Sequence, residues 1–175
     1  MGNSKWMNVN AAVTDSTAYD GKGASRTLVG RSIGVTLPAV NNATADIQAM
    51  GTMSVPVMGM LEDMELTITK IGVDKGISRL SKFESHDLEF RWVQNIVKKD
   101  GTTDTVGLKA YLRTMPVGIP QIGVALGEAG ENELTHKVTK YQLFADNKEL
   151  WCIDRLNQIL RIDGKDYYKN IDDLL

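Results

Sequence analysis

The side chains that could do chemistry in this chain are few and widely spaced. Histidine occurs only at His86 and His136, and neither lies at a metal-ligand spacing from cysteine or carboxylates. His136 alternates with Thr and Lys in a strand-like run, which predicts a surface or interface histidine. Cys152 is the single cysteine, so an internal disulfide is impossible and a buried, inert thiol is expected.

Other candidate motifs are explained better by turns and solvated surface. Residues 21–25 (GKGAS) resemble a phosphate loop but lack its upstream glycine and preceding strand. Asp146, Glu149 and Asp154, or the pair at 172–173, match no calcium-loop spacing. A nucleophile motif of the Gly-x-Ser-x-Gly type does not occur. We therefore predict no catalytic residues, no metal, no cofactor and no enzyme, which favours a binding or structural protein.

Composition predicts one ordinary soluble domain spanning residues 1–175. A chain of 175 residues with 42% hydrophobic and 24% charged residues can bury a sizeable core. The net charge of −2, without a basic cluster, indicates neither a nucleic-acid-binding surface nor a membrane surface. The sequence shows no signal peptide and no apolar run near the about 20 residues of a membrane span. We expect synthesis and assembly in the cytoplasm.

The first third of the chain gives weak structural signals. Residues 1–30 are rich in Ser, Thr, Asn, Gly and Ala, so we expect a polar N-terminal arm, with the core comprising residues 31–175. Residues 31–40 indicate a short strand that ends near Pro38. Residues 41–59 suggest a mixed loop, within which 43–49 could form a short helix.

The middle third predicts a strand and then a helix. Residues 64–71 alternate between apolar and polar side chains, as a half-buried strand does. Asp74 is placed to N-cap a short helix whose apolar stripe contains Ile77, Leu80 and Phe83. Because such a helix is too short to be stable alone, we expect it to pack on a sheet.

A long hairpin is the clearest element of the middle region. Two alternating runs within residues 87–113 flank a turn at 98–101 (KKDG). Its length suggests that it reaches beyond its own domain. The outward face is polar and hydrated, with Glu89, Arg91, Asn95, Lys109 and Arg113. Residues 114–132, rich in Gly and Pro, predict a long loop that is functional or ordered by a partner.

The C-terminal third predicts a β-meander. A strand over residues 134–144 precedes turns at 146–148 (DNK) and 163–164 (DG), which are strong hairpin signals. The total is seven or eight strands and one short helix. The fold class is therefore mainly β, a β-sandwich or small barrel with a helix on its flank.

Several segments together resemble the major tail tube protein family of contractile bacteriophage tails and phage-tail-like bacteriocins. The resemblance covers roughly residues 31–172 and is strongest in the C-terminal meander. The matching pieces are residues 35–38 (VTLP), 51–53 (GTM), 58–66 (MGMLEDMEL), 118–120 (GIP), 127–128 (GE), Tyr141, 146–150 (DNKEL), 153–154 (ID), Asn157, Ile159 and 163–166 (DGKD).

The resemblance implies a tail-tube-type β-sandwich or barrel whose copies form hexameric rings. These rings would stack into a hollow tube inside a contractile sheath, within a virion or bacteriocin particle. Implied partners are further copies of the chain, the tail sheath protein, and terminator and baseplate proteins at the tube ends, with DNA passing transiently through the lumen. The alternatives are a type VI secretion-like tube protein and a monomeric ligand-binding β-barrel.

We expect subunit contacts from the N-terminal arm, the loops and the long hairpin. The candidate interface residues are Trp6, Tyr19, Met53, Met58, Met60, Trp92, Ile96, Lys98, Asp100, Thr105, Leu108, Pro120 and Leu174.

Overall fold

The computed structural model describes residues 12–98 and 100–175. This part of the chain is mainly β, as predicted, but its twelve strands exceed the expected number. The strands are β1 (Ala12–Asp20), β2 (Thr27–Arg31), β3 (Gly34–Thr36), β4 (Asn42–Gln48), β5 (Thr52–Leu61), β6 (Glu65–Ile71), β7 (His86–Val97), β8 (Thr103–Pro116), β9 (Glu131–Ala145), β10 (Lys148–Asp154), β11 (Ile159–Ile162) and β12 (Lys165–Asp166). The α-helices α1 (Lys75–Leu80) and α2 (Lys169–Asp172) are both short.

Strand β9 pairs with three other strands of the main sheet. Its residues 131–137 pair with β6 and its residues 140–145 pair with β10, along the same edge. Its other edge pairs with β8, which has a register shift between Arg113 and Thr114. The full path runs β12-β11-β10-β9-β8-β7-β1-β2, and β3 joins through β6. Because this path does not close on itself, the fold is an open sandwich rather than a barrel.

One apolar core lies between the β6 layer and the layer formed by β7 and β8. Leu66 and Ile68 of β6 are fully buried in the same cluster as Leu88 of β7 and Leu112 of β8. Full burial of one such side chain stabilises the fold by about 1.5–3 kcal/mol. The predicted alternation of residues 64–71 is confirmed, since Met64 is also fully buried.

Helix α1 begins as the sequence predicts. The Asp74 carboxylate accepts a hydrogen bond from the Ile77 amide at 3.1 Å, and Ile77 and Leu80 are buried. The same carboxylate receives the amine of buried Lys70 at 2.8 Å. The prediction for Phe83 is wrong, since it follows the helix end and is 72% exposed.

The predicted mixed loop over residues 41–59 is instead a hairpin. Strands β4 and β5 pair with each other as a separate two-stranded sheet. Met50 and Gly51 have φ of 52° and 123°, the positive values that tight hairpin turns require. The possible helix at 43–49 is therefore wrong, because cross-strand pairing overrides a short and weak helical signal.

Part of the segment expected to be a polar arm belongs to the main sheet. Strand β1 pairs with β7 from Ala12 to Asp20, and β2 pairs with β1. Neither strand shows a periodic apolar pattern, because β1 is held by backbone pairing and buries only Ala18 and Asp20. The role of residues 1–30 as an arm in assembly stays a prediction, and Trp6 lies outside the described residues.

The C-terminal meander has the predicted turns. Asp146 and Asn147 between β9 and β10 have φ of 49° and 63°, and Asp163 and Gly164 between β11 and β12 have φ of 48° and 81°. Paired positive φ values match the twist of the flanking strands. Cys152 in β10 is buried, as expected.

We expect replacement of Asp74 by Ala to lower the free energy of unfolding by about 1–3 kcal/mol, because the helix loses its cap and buried Lys70 loses its carboxylate. Urea denaturation would measure the change. Asp173→Ala, an exposed residue at the end of α2, is the matched control and should be nearly neutral. Equal stability of the two variants would contradict the role of Asp74.

Candidate assembly surfaces

The ionisable groups of the described residues build structure rather than a reaction centre. Within residues 12–98 and 100–175, no group of three or more His, Cys, Asp or Glu could hold a metal ion. The Asp154 carboxylate accepts hydrogen bonds from the amides of Leu156 and Asn157, which stabilises the turn after β10. Glu149 accepts from the Arg161 guanidinium at 2.6 Å. These carboxylates are already engaged in turns and ion pairs.

His136 is fully buried, so the prediction of a surface or interface histidine is wrong. Its Nδ1 lies 2.9 Å from the Thr114 hydroxyl, and its ring centroid lies 5.9 Å from that of His86. The side chain is interior because His136 lies on the face of β9 that is turned towards the core, together with buried Leu134 and Val138. A signal did exist in the sequence: apolar Leu134 and Val138 share its side of the strand.

A buried polar cluster surrounds this histidine. His86 lies between the Asp20 carboxylate, at 3.2 Å from Nδ1, and the Lys82 carbonyl, at 2.9 Å from Nε2. Asp20 also accepts from Arg79 at 2.8 Å. Burial lowers the pKa of His136 to about 4, and nearby His86 contributes to this decrease. The cluster joins β1, α1 and β9 at the sheet's interior.

The charged face is the outward side of the main sheet, opposite the core. Glu89 is held there by Arg91 and by Arg26, whose Nη1 lies 3.2 Å away. Both guanidinium groups lie over the Tyr19 ring, at 5.3 and 5.2 Å from its centroid. Other polar side chains continue this surface: Lys22, Asp87, Lys109, Arg113, Lys140, Gln142, Glu149 and Arg161. Glu89 is buried beneath its two arginines, whereas the more exposed pairs, such as Lys22–Asp87, add little stability.

The projecting hairpin, defined as residues 44–57 of β4 and β5, exposes apolar side chains. Ile47 is 44% exposed and Met53 48%, and Met50 at the turn is completely exposed. Met58 and Met60, on β5 at the base of the hairpin, are also more than half exposed. The base is anchored, because Gly59 approaches Tyr168 and Ile171 so closely that an added Cβ would lie 3.1 Å from each. The outer half therefore lacks an apolar cover from the described residues.

The long loop predicted over residues 114–132 is confirmed for 117–130, which have no strand or helix, but residues 114–116 belong to β8 and 131–132 to β9. Val124 and Leu126 in this loop are 92% and 103% exposed, and Pro120 is half-buried. Leu174 at the C-terminus is 88% exposed. Clusters of exposed apolar side chains usually mark interaction surfaces.

The long hairpin of β7 and β8 is largely embedded, not free. It is flanked by β1 and β9, and the β8–β9 pairing reaches Leu108, opposite Ala145. Two candidate interface residues, Ile96 and Leu108, are buried with Val106 and Ala145 in a small cluster of their own. Trp92 is half-buried beside them.

Three other candidates occupy the tip of the long hairpin. Lys98 is paired with Asp104 at 3.7 Å, and Asp100 accepts from the Thr102 amide at 2.9 Å, so both help to form the turn. Thr105 is exposed. Lys98, Asp100 and Thr105 therefore lie at the tip of the long hairpin, whereas Met53, Met58 and Met60 lie on β5. The remaining candidates belong to three other segments: Tyr19 to β1, Pro120 to the 117–130 loop and Leu174 to the C-terminal segment.

The described part of the chain contains no helix long and apolar enough to span a membrane. Its features are an open antiparallel sandwich, a charged face and several exposed apolar segments. They define a class of structural protein that presents surfaces for assembly rather than a cavity for catalysis.

Residues 21–174 match the family described as phage tail tube protein FII, and the chain belongs to this family. Its family is one of structural proteins of the phage tail tube and not of enzymes. No curated protein matches the sequence.

Solved structures of contractile injection systems show a distant likeness. A chain of the PVC sheath–tube complex in the extended state is 12% identical, with 74% of this chain and 88% of that chain covered at a TM-score of 0.45. A chain of the PVC sheath/tube terminator is 10% identical, with coverage of 74% and 92% and a TM-score of 0.46. A chain of the anti-feeding prophage baseplate is 11% identical, with coverage of 78% and 97% and a TM-score of 0.42.

Acid should weaken the fold through His136. The pKa of this histidine is about 4 in the folded state and about 6.5 in a free chain, so only the unfolded state binds the proton between these values. Stability is therefore complete above about pH 6.5 and falls by roughly 3 kcal/mol as the pH decreases towards 4. Urea denaturation at a series of pH values would measure this slope.

The matched variant is His136→Gln, which cannot titrate but can still hydrogen-bond to Thr114. It should lose most of the pH dependence between 6.5 and 4, whatever its absolute stability. An unchanged slope in the variant would show that other groups cause the acid sensitivity.

Proposed function

We propose that copies of this chain form hexameric rings, and that the rings stack into the inner tube of a contractile phage tail or tail-like bacteriocin. The observation that carries the proposal is the projecting hairpin. An isolated two-stranded hairpin is marginally stable in water, and this one exposes Ile47 and Met53. A neighbouring copy can supply the missing cover, which makes assembly favourable.

Open sheet edges support the same proposal. Within the described residues, β2, β3 and β12 each pair along one edge only. Unpaired edges expose backbone donors and acceptors that another chain can bind. In a closed ring every such edge has a neighbour, so the assembled state avoids free edges.

The charged face fits the bore of the tube. It carries interleaved cations and anions, including the Arg91–Glu89 and Arg113–Asp87 pairs. A hydrated surface of mixed charge lets cargo pass without strong adhesion. We propose that this face lines the lumen, that DNA passes through it in an infectious particle, and that the sheath protein surrounds the tube while terminator and baseplate proteins bind its ends.

Negative-stain electron microscopy of the concentrated protein tests self-assembly. The proposal predicts rings or stacked tubes with a central channel. A monomeric ligand-binding protein would show only separate small particles at every concentration, and that result would reject the proposal.

We propose that the tip of the long hairpin, whose described residues are 98 and 100–104, makes ring-to-ring contacts, because these residues extend past the end of β9 at Ala145. Deletion of residues 99–103 should leave rings but prevent long tubes. Circular dichroism would establish that the variant is folded, and electron microscopy would measure tube length. Tubes of normal length from the folded variant would exclude this role for the tip.

A further inference from the structure

We propose that the projecting hairpin pivots as a folded unit on the body of the subunit. The pivot is residues 58–60 of β5, named here the hinge segment. The side chains of Tyr168 and Ile171 form a stop that limits the movement and so sets the angle of the hairpin. The movement takes place within one copy, so it does not require the proposed assembly.

The pairing of β4 with β5 is interrupted at the base of the projecting hairpin. Asn42 pairs with Leu61 and Thr44 pairs with Pro56, so residues 57–60 of β5 lie opposite a single residue of β4. Residues in excess of their partners disrupt the hydrogen-bonded ladder and bend the strand. The hairpin is therefore joined to its base by a stretch of backbone that the ladder does not hold.

The two sides of the hinge segment differ in how firmly they are held. On the base side, Leu61 packs against the main core, and its carbonyl accepts from the Arg155 guanidinium at 3.2 Å. On the other side, and among the described residues, the hydrogen bonds of residues 44–57 stay within the hairpin, as in the Ser54–Asp46 pair. An element with few outside contacts moves more easily than one that is held on all sides.

The hinge segment has open space beside it. Met58 lines an open cavity of about 330 Å³ together with Trp151, and Gly59 and Met60 line another of about 310 Å³ together with Asp154. A close-packed interior resists a shift of the backbone, because every displaced atom collides with a neighbour. These two cavities leave room for such a shift.

The polar contact between the hinge segment and β4 is weak. Asn42 Nδ2 donates to Met58 Sδ at 3.8 Å, and a thioether is a poor acceptor. The buried Oδ1 of Asn42 accepts no hydrogen bond from the described residues. Displacement of Met58 therefore breaks no strong hydrogen bond.

Tyr168 and Ile171 limit the movement. A Cβ added at Gly59 would lie 3.1 Å from each of these side chains, so glycine is the residue that fits this contact without displacing either of them. Tyr168 is itself held in place, because it packs against the main core and its amide donates to the Asp166 carboxylate at 2.9 Å. The hinge segment therefore cannot move towards the stop.

A distance between two spin labels tests the pivot. One nitroxide is attached at Met53→Cys on the projecting hairpin, and the other at Glu133→Cys, an exposed position of β9 in the main sheet. Native Cys152 should stay unlabelled, because it is buried and burial raises its pKa. The doubly labelled full-length chain is diluted with unlabelled protein, so that pulsed EPR reports distances within one copy.

Tyr168→Ala and Ile171→Ala should each widen the distribution of this distance, because the stop is lost. Gly59→Ala should instead shift the mean distance, because its Cβ pushes the hinge segment away from the stop. Gly127→Ala is the matched control and should change neither quantity, since its φ of 82° resembles the 87° of Gly59 but the space at its Cβ is open. Distributions that match the parent in all of these variants would overturn the inference.

A second pair of labels separates pivoting from unfolding of the hairpin. Ile47 and Met53 face each other across β4 and β5, so nitroxides at Ile47→Cys and Met53→Cys should broaden each other's continuous-wave spectrum. The broadening should persist in Tyr168→Ala. Its loss there would show that the hairpin unfolds instead of pivoting, which would also overturn the inference.

A set angle also prepares the hairpin for contact with a neighbouring copy, and this consequence rests on the proposed function. Fixing a binding element in advance lowers the entropy cost of association. Tyr168→Ala should therefore raise the protein concentration at which rings appear in the electron microscope. An unchanged concentration despite a widened distance distribution would reject this consequence and leave ring formation standing. Absence of rings from the parent at every concentration would reject the proposed function, whereas the pivot is judged by the distances within one copy.

Discussion

The fold depends on the backbone pairing of β9 with three other strands. Paired backbone groups in the interior satisfy donors and acceptors that would otherwise be costly to bury. Because β6 and β10 share one edge of β9, the sheet has to divide there into two layers. The core fills the space between them, and Leu134 points into it. Strand β10 follows β9 directly through the turn at 146–147, but β6 is distant in sequence, so the division of the sheet forms only when residues far apart in the chain come together.

Polar groups are also buried near the centre of the sheet. His136 lies on the core face of β9, where its Nδ1 is within hydrogen-bonding distance of the Thr114 hydroxyl and its ring packs beside that of His86. His86 is in turn linked to Asp20, which binds Arg79 of α1. A chain of hydrogen bonds therefore ties the helix to the sheet. The Thr114 hydroxyl provides a partner for His136 Nδ1, and without it this buried nitrogen would cost about 1–3 kcal/mol.

The subunit separates hydrated and apolar surfaces in a way that suits a tail tube. The charged face keeps its carboxylates engaged with arginines, whereas the projecting hairpin and the 117–130 loop expose apolar side chains. In a single copy, these exposed apolar side chains contribute no burial energy to the fold. In the assembly that we propose, the apolar segments form the contacts between copies and the charged face stays in contact with water.

Local signals were sufficient for some elements. The Asp74 cap, the alternation along β6 and the turns at 146–147 and 163–164 each depend on residues close together in sequence, so they were predictable. The resemblance to tail tube proteins also came from the sequence, and the family match confirms it. The chain alone thus determined a mainly β structural protein with these turns and this helix start.

Only the tertiary structure determined the conformation of segments whose sequence carries a weak secondary-structure signal. Strand β1 has little apolar periodicity and becomes a strand because β7 offers its edge. The β4–β5 hairpin likewise replaced an expected loop through cross-strand pairing. Burial of His136, and the burial of Ile96 and Leu108 in their own cluster, depend on which strands cover them. Periodicity within a strand can indicate which residues share a side, but only the packed neighbours determine which side faces the core.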